Sequence, residues 1–307
     1  MGDGMSLFQK KEQKQQQQQP LVGASRQAGT APQPTGAPQQ AGASPQPLVQ
    51  RPRVKRLLSY QVANLQEVGA RKRQEDSFAF VNAFDVTEMK EKGLLFLVCD
   101  GMGGMKDGKV ASETAVASIR RSFADMDRNA DLAKQLKESV YLAADEVEKR
   151  LEGDGGSTLV AGILFQEKLY YASVGDSFLY LKRGEQLYRL NREHNLCCQT
   201  YLESIRAGEL DPFVGRENEE AAALTQFLGM TGLSDVDGSV RPLPMKDGDV
   251  LLACSDGVGG VLTEEEILGA LRLHSVQAMC QQMNQGIVAR AKKNQDNYTA
   301  LVVKCLY

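Results

Sequence analysis

Two apolar runs of this chain end the same way. "FLVCDGMGG" (96–104) and "LLACSDGVGG" (251–260) each pass from hydrophobic residues into an aspartate followed by glycine, at Asp100–Gly101 and at Asp256–Gly257. One such pair alone reads as a turn. Further carboxylates sit beside other apolar runs: Glu75 and Asp76 in "RQEDSF", Asp296 in "KNQDNYTALVV" and Asp176 in "SVGDSF". Strand-end carboxylates can converge at one rim of packed sheets, where isolated charges are costly to ionise. A divalent cation removes that cost. Oxygen ligands without thiol or imidazole suit magnesium or manganese. A glycine after the ligand lets the backbone approach closely and offers its carbonyl as a further ligand.

A competing chemistry is written into "GGMKDGKV" (103–110), which has the spacing of a nucleotide-binding loop. That loop requires Ser or Thr after its lysine to hold magnesium, and here Val110 follows Lys109. Asp100 and Asp107 would also repel phosphate. Arg71, in "GARKRQED", is either a solvated charge beside Lys72 and Arg73 or a phosphate anchor five residues before Asp76. The two histidines, His194 and His274, fall outside these blocks and are expected on the surface or packing loops.

The elements needed to hold such a site are legible in outline. "SFAFVNAF" (77–84) and "GLLFLVCD" (93–100) read as strands. Apolar residues at three- and four-residue spacing, Val110 to Phe123 and Leu132 to Leu151, predict two helices. Residues 156–190 read as a meander of strands, 196–224 as mixed and polar, "DVLLACSD" and "YTALVVKCLY" as strands, and 263–273 and 275–292 as helices. Strands, helices, strands and helices in that order predict a layered α+β body.

Residues 1–56 differ in kind. They are rich in Gln, Pro, Gly and Ala, bury almost nothing apolar, and are expected to form a disordered tail ahead of a domain at 57–307. The tail carries eight Lys and Arg against two Asp and Glu, so the net charge of −3 conceals an acidic body. An acidic body argues against nucleic acid as a partner. The six cysteines have no metal-ligand spacing and no CxxC, which points to a reducing, cytoplasmic setting. No run approaches the length of a transmembrane segment.

Six blocks, "GARKRQEDSF", "LFLVCDGMGG", "GSTLVAG", "ASVGDSFLY", "LLACSDGVGG" and "QDNYTALVV", stand in the order seen in metal-dependent protein serine/threonine phosphatases. The chain thus resembles the PPM, or type 2C, family in its bacterial form, over roughly residues 57–307. The resemblance implies an α+β fold: a four-layer α-β-β-α sandwich of two packed antiparallel sheets flanked by helices. It implies two Mn2+ or Mg2+ ions held by Asp100, the Gly101 carbonyl, Asp256 and Asp296, with Glu75 reaching a metal through water and Asp76 in support. Arg71 falls on the phosphate-binding position, and Asp176 on a residue used for a third, weaker metal. The variable flap falls near 195–224. The implied reaction is hydrolysis of phosphoserine and phosphothreonine in proteins by a metal-activated water, with no covalent phosphoenzyme. The implied partners are a phosphoprotein substrate and a cognate serine/threonine kinase, and the implied state is a monomer. Four departures stand out: Met102 where many members carry His, Gly260 where some carry an extra acid, Phe178 in place of an arginine, and Gln74 in place of Asn. Met102, Gly260 and Phe178 support the alternative of a catalytically weak member that binds phosphoproteins; none of the four removes a core ligand.

Overall fold

The computed structural model describes residues 58–102, 107–211 and 213–307. The expected tail, 1–56, lies outside the described residues. The chain opens with β1 (Ser59–Glu67) and β2 (Ser77–Val81), then α1 (Val86–Lys92), β3 (Leu94–Cys99) and the short β4 (Gly101–Met102). Two long helices follow, α2 (Gly108–Asp125) and α3 (Leu132–Leu151). A run of strands comes next: β5 (Gly156–Ser157), β6 (Leu159–Phe165), β7 (Lys168–Val174), β8 (Phe178–Arg183) and β9 (Gln186–Arg189). After α4 (Leu196–Ala207) come β10 (Asp237–Gly238), β11 (Leu243–Pro244) and β12 (Val250–Cys254). The chain closes with α5 (Asp256–Gly259), α6 (Glu264–Leu271), α7 (Val276–Ala289) and β13 (Tyr298–Leu306).

Two antiparallel sheets form the centre, in the orders β1-β13-β12-β8-β9 and β10-β7-β6-β3-β2, with β11 also pairing β7. Burial explains why the central strands are unbroken apolar runs. In β3, Leu94, Phe96 and Val98 join the core between the sheets, whereas Leu95, Leu97 and Cys99 pack under α2 and α3. In β12, Leu251 and Ala253 face the other sheet, and Val250, Leu252 and Cys254 face α6 and α7. With both faces covered, alternation gives way to continuous hydrophobicity. The result is the expected four layers: α2 and α3, sheet, sheet, α6 and α7.

Besides four short pieces of two to four residues (β4, β10, β11 and α5), three longer elements were not predicted. β1 is an edge strand with only Leu65 buried, so its sequence alternates weakly. α1 buries no residue and is fixed by its cap, the Asp85 carboxylate accepting from the Thr87 and Glu88 N–H groups. α4 buries only Ser204 and so lacks an apolar stripe.

The antiparallel registers bring strand ends together. Ser77 pairs with Cys99, so the end of β3 meets the start of β2. Cys254 pairs with both Ala300 and Phe178, so the end of β12 meets the starts of β13 and β8.

Candidate active site

Asp100, Asp256, Asp296, Glu75, Asp76 and Asp176 therefore all lie one or two residues beyond strand ends on that rim. Asp100 leaves the end of β3, and its backbone is clasped by the "GST" turn. Its N–H donates to Thr158 Oγ1 (3.0 Å), and its carbonyl accepts from Thr158 N (2.9 Å) and Ser157 Oγ (3.0 Å). Thr158 Oγ1 in turn bonds Ser177 Oγ at 2.7 Å, linking Asp100 to the residue after Asp176.

Asp76 is wholly buried and ties the two sheets together. Its Oδ2 accepts from Ser255 Oγ at 2.9 Å and Thr299 Oγ1 at 2.7 Å, both on the other sheet's side. Burial nonetheless pushes its pKa up to about 6, against the pull of those two hydroxyls. The Glu75 N–H donates to Asn297 Oδ1 at 2.7 Å, and the Asn297 amide donates to the Val68 and Arg73 carbonyls. That asparagine fastens the Arg71–Glu75 loop to the start of β13.

Glycine is required at two places for want of space. A Cβ on Gly101 would lie 2.1 Å from the Gly108 carbonyl oxygen and 2.6 Å from that of Glu75. One on Gly257 would lie 2.0 Å from the Asn297 carbonyl oxygen. Both are backbone against backbone, with no flexible side chain to yield.

The rim is overcharged. Burial, then the charges of Asp76, Asp256 and Asp176, drives Asp100 well above the usual carboxylate range. Burial raises Asp256 too, and the charge of Asp296 adds to it. Burial and Asp256 push Asp176 up to about 6. Arg71 donates from Nη2 to Asp296 Oδ2 at 2.5 Å, and this pair is open to solvent.

These groups fit divalent cations. Asp256 Oδ1 and Asp76 Oδ1 are buried without any hydrogen-bond donor, a cost that a cation or proton removes. The donor set is hard oxygen. Among the described residues, no three Asp, Glu, His or Cys side chains stand gathered as a ready chelate. One expected ligand, Asp296, is instead engaged by Arg71.

Some supporting residues escaped sequence reasoning. Ser255, Thr299, Asn297 and Thr158 hold the acids in place, and their only signal was a polar residue set inside or against an apolar run. Lys109, the lysine of the supposed nucleotide loop, donates to the Asp76 carbonyl (2.8 Å) and to Ser77 Oγ (3.0 Å), so it braces the acidic loop. His194 is buried, its Nδ1 accepting from the Gly175 N–H at 3.2 Å, and burial lowers its pKa. It packs a loop, as one of its two expected roles had it.

The fold of two packed sheets is that of solved bacterial serine/threonine phosphatases. The chain belongs to the protein phosphatase 2C family, whose model matches residues 61–228. The serine/threonine phosphatase stp of Listeria innocua is 31% identical over 232 residues, covering 71% of this chain and 87% of that protein. The Ser-Thr phosphatase MsPP of Mycobacterium smegmatis, solved with cacodylate, superposes with a TM-score of 0.62 at 26% identity, covering 80% of this chain and 98% of that one. The catalytic domain of PstP, solved with two manganese ions, shares the fold with a TM-score of 0.64 at 24% identity, over 81% of this chain and all of that one.

Proposed function

We propose that the chain hydrolyses phosphoserine and phosphothreonine in proteins with two Mn2+ or Mg2+ ions and without a covalent phosphoenzyme. The observation that carries this reading is the buried, overcharged rim: Asp256 Oδ1 has no donor, and no cation reaches Asp76, Asp100 or Asp256 through an ion pair among the described residues. Asp100, the Gly101 carbonyl, Asp256 and Asp296 are the proposed ligands, with Glu75 acting through water, Asp76 positioning Asp100, and Asp176 serving a third, weaker ion. When bound, such ions supply Lewis acidity toward water and the phosphoryl oxygens. Arg71 is the proposed phosphate anchor, its planar fork matching two phosphoryl oxygens once it leaves Asp296.

A protein nucleophile is disfavoured by the same surroundings. Burial pushes the Cys99 thiol up, and the Cys254 thiol up to about 12, so neither is a thiolate at neutral pH. Six free cysteines suit a reducing cytoplasm. No helix among the described residues is long and apolar enough to cross a membrane. In this reading the enzyme works as a monomer on phosphoproteins made by a serine/threonine kinase.

The test is a phosphothreonine peptide assayed with manganese, wild type against Asp256→Asn. The expected loss in the variant is on the order of 100-fold or more, the scale of removing a group that stabilises transition-state charge. Equal rates, or wild-type turnover that survives chelation, would refute the assignment.

A further inference from the structure

Helix α4 and the turn after it present a side that nothing covers. Tyr201 and Ile205, four residues apart and so on one face, are 37% and 39% exposed. Leu210 and Phe213, just beyond, are 82% and 64% exposed. Around them the charge is one-sided. Glu209, Asp211, Glu217, Glu219 and Glu220 are all exposed, against Arg206 and Arg216, while Glu203 lies on the other side of α4 beside Arg192 and Arg206. Arg216 lies over the Phe213 ring at 5.2 Å. No ion pair among the described residues engages any of the five acids.

This face is anchored beside the acidic rim. His194, at the root of α4, donates its N–H to the Gly175 carbonyl at 2.9 Å, and Gly175 immediately precedes Asp176. A helix of this length runs about 18 Å. An extended peptide covers that in about five or six residues. A substrate with its phosphate at the rim would therefore lay its flanking residues along α4.

We propose that this face docks basic and apolar residues lying about four to six positions from the phosphorylated residue of the protein substrate. The proposal rests on the phosphatase reading above and adds the chemistry of the flank. Five carboxylates select Lys and Arg and repel acidic flanks, while the exposed Tyr201, Ile205 and Phe213 offer apolar surface to an apolar side chain.

The test uses the full chain with manganese, two phosphothreonine peptides and para-nitrophenyl phosphate, which has no flank. One peptide carries Lys, Arg and Leu at the flanking positions, the other Glu and Ser. Expected is a preference of about tenfold in kcat/KM for the basic peptide, carried by KM, the product of a few exposed ion pairs of ordinary strength. That preference fades with added salt. Glu217→Lys/Glu219→Lys/Glu220→Lys reverses it, and Tyr201→Ser/Ile205→Ser/Phe213→Ser weakens the basic peptide several-fold. Both variants keep wild-type turnover of para-nitrophenyl phosphate. Equal kcat/KM for the two peptides in the wild type overturns the proposal, as does a preference that survives charge reversal. A wild-type dimer that the triple serine variant dissolves also overturns it, because the face then belongs to a second copy. Loss of all hydrolysis in the wild type, para-nitrophenyl phosphate included, sinks the phosphatase reading itself, a result distinct from lost discrimination.

Discussion

Asp76→Asn probes whether the acidic rim is held together against its own charge. The folded protein keeps Asp76 fully buried and raises its pKa from 3.8 to about 6. The folded-state value lies above the unfolded one, so the folded chain binds the extra proton between about pH 4 and pH 6. Stability from this group is complete below about pH 4 and is lost as pH rises through about 6. Two pH units at about 1.4 kcal/mol each amount to roughly 3 kcal/mol above pH 6. Asparagine keeps the geometry: its oxygen accepts from Ser255 and Thr299 as Oδ2 does, and its amide places a donor where Oδ1 has none. The metal-free variant is therefore expected to be more stable than metal-free wild type at pH 8, by up to about 3 kcal/mol, or roughly 5–10 °C in Tm for a domain of this size. At pH 4 the difference disappears. Manganese reverses the order at pH 8, because a cation stabilises the ionised wild-type rim. The assay is a set of thermal melts in chelator and in manganese at both pH values. A variant less stable than wild type in chelator at pH 8, or offset equally at both pH values, would show that the rim is not charge-strained.

Glycine substitutions separate a packing requirement from mere helix content. Gly257→Ala forces a Cβ to within 2.0 Å of the Asn297 carbonyl oxygen and displaces the turn carrying Asp256, so chemical denaturation should show a loss of about 2–4 kcal/mol. Gly269→Ala, in α6 with open space at its Cβ, should instead gain about 0.5–1 kcal/mol, and a loss there would contradict the packing argument. Arg71→Ala should raise KM for a phosphothreonine peptide by about tenfold, and Arg71→Lys should fail to restore it, because a point charge cannot replace the planar fork. A lysine variant at wild-type kcat/KM would remove Arg71 from phosphate binding.

The architecture was legible where burial on both faces imposed a pattern. β3, β12 and β13 show as apolar runs because each alternate residue enters a different core. α2 and α3 show because one stripe packs on a sheet. β1, α1 and α4 bury one residue or none, so no periodicity could mark them. At the candidate site, the carboxylates were visible because an acid breaking an apolar run is conspicuous. Their holders were not, because a serine or threonine beside a strand is ordinary in sequence. The contacts of Asp76 with Ser255 and Thr299 span 179 and 223 residues, and only the register of β12 against β13 brings the two hydroxyls together. Lys109 shows the opposite failure: a local spacing suggested phosphate, and the fold aimed its ammonium at a backbone carbonyl.

The proposed ligands differ in what it costs to free them for a cation. Arg71 and Asp296 are 57% and 40% exposed at their side chains, and an ion pair so open to water is worth about 0–1 kcal/mol. On the proposed reading, incoming phosphate claims the arginine, and a cation the aspartate, at little expense. Asp100 and Asp256 are half-buried, and ionising Asp100 adds charge to a rim already crowded by Asp76, Asp256 and Asp176. A cation bound there favours the ionised carboxylates, so on that reading metal binding is linked to loss of protons. The crowded carboxylates then set the dependence on pH and metal, and the exposed pair sets the affinity for phosphate.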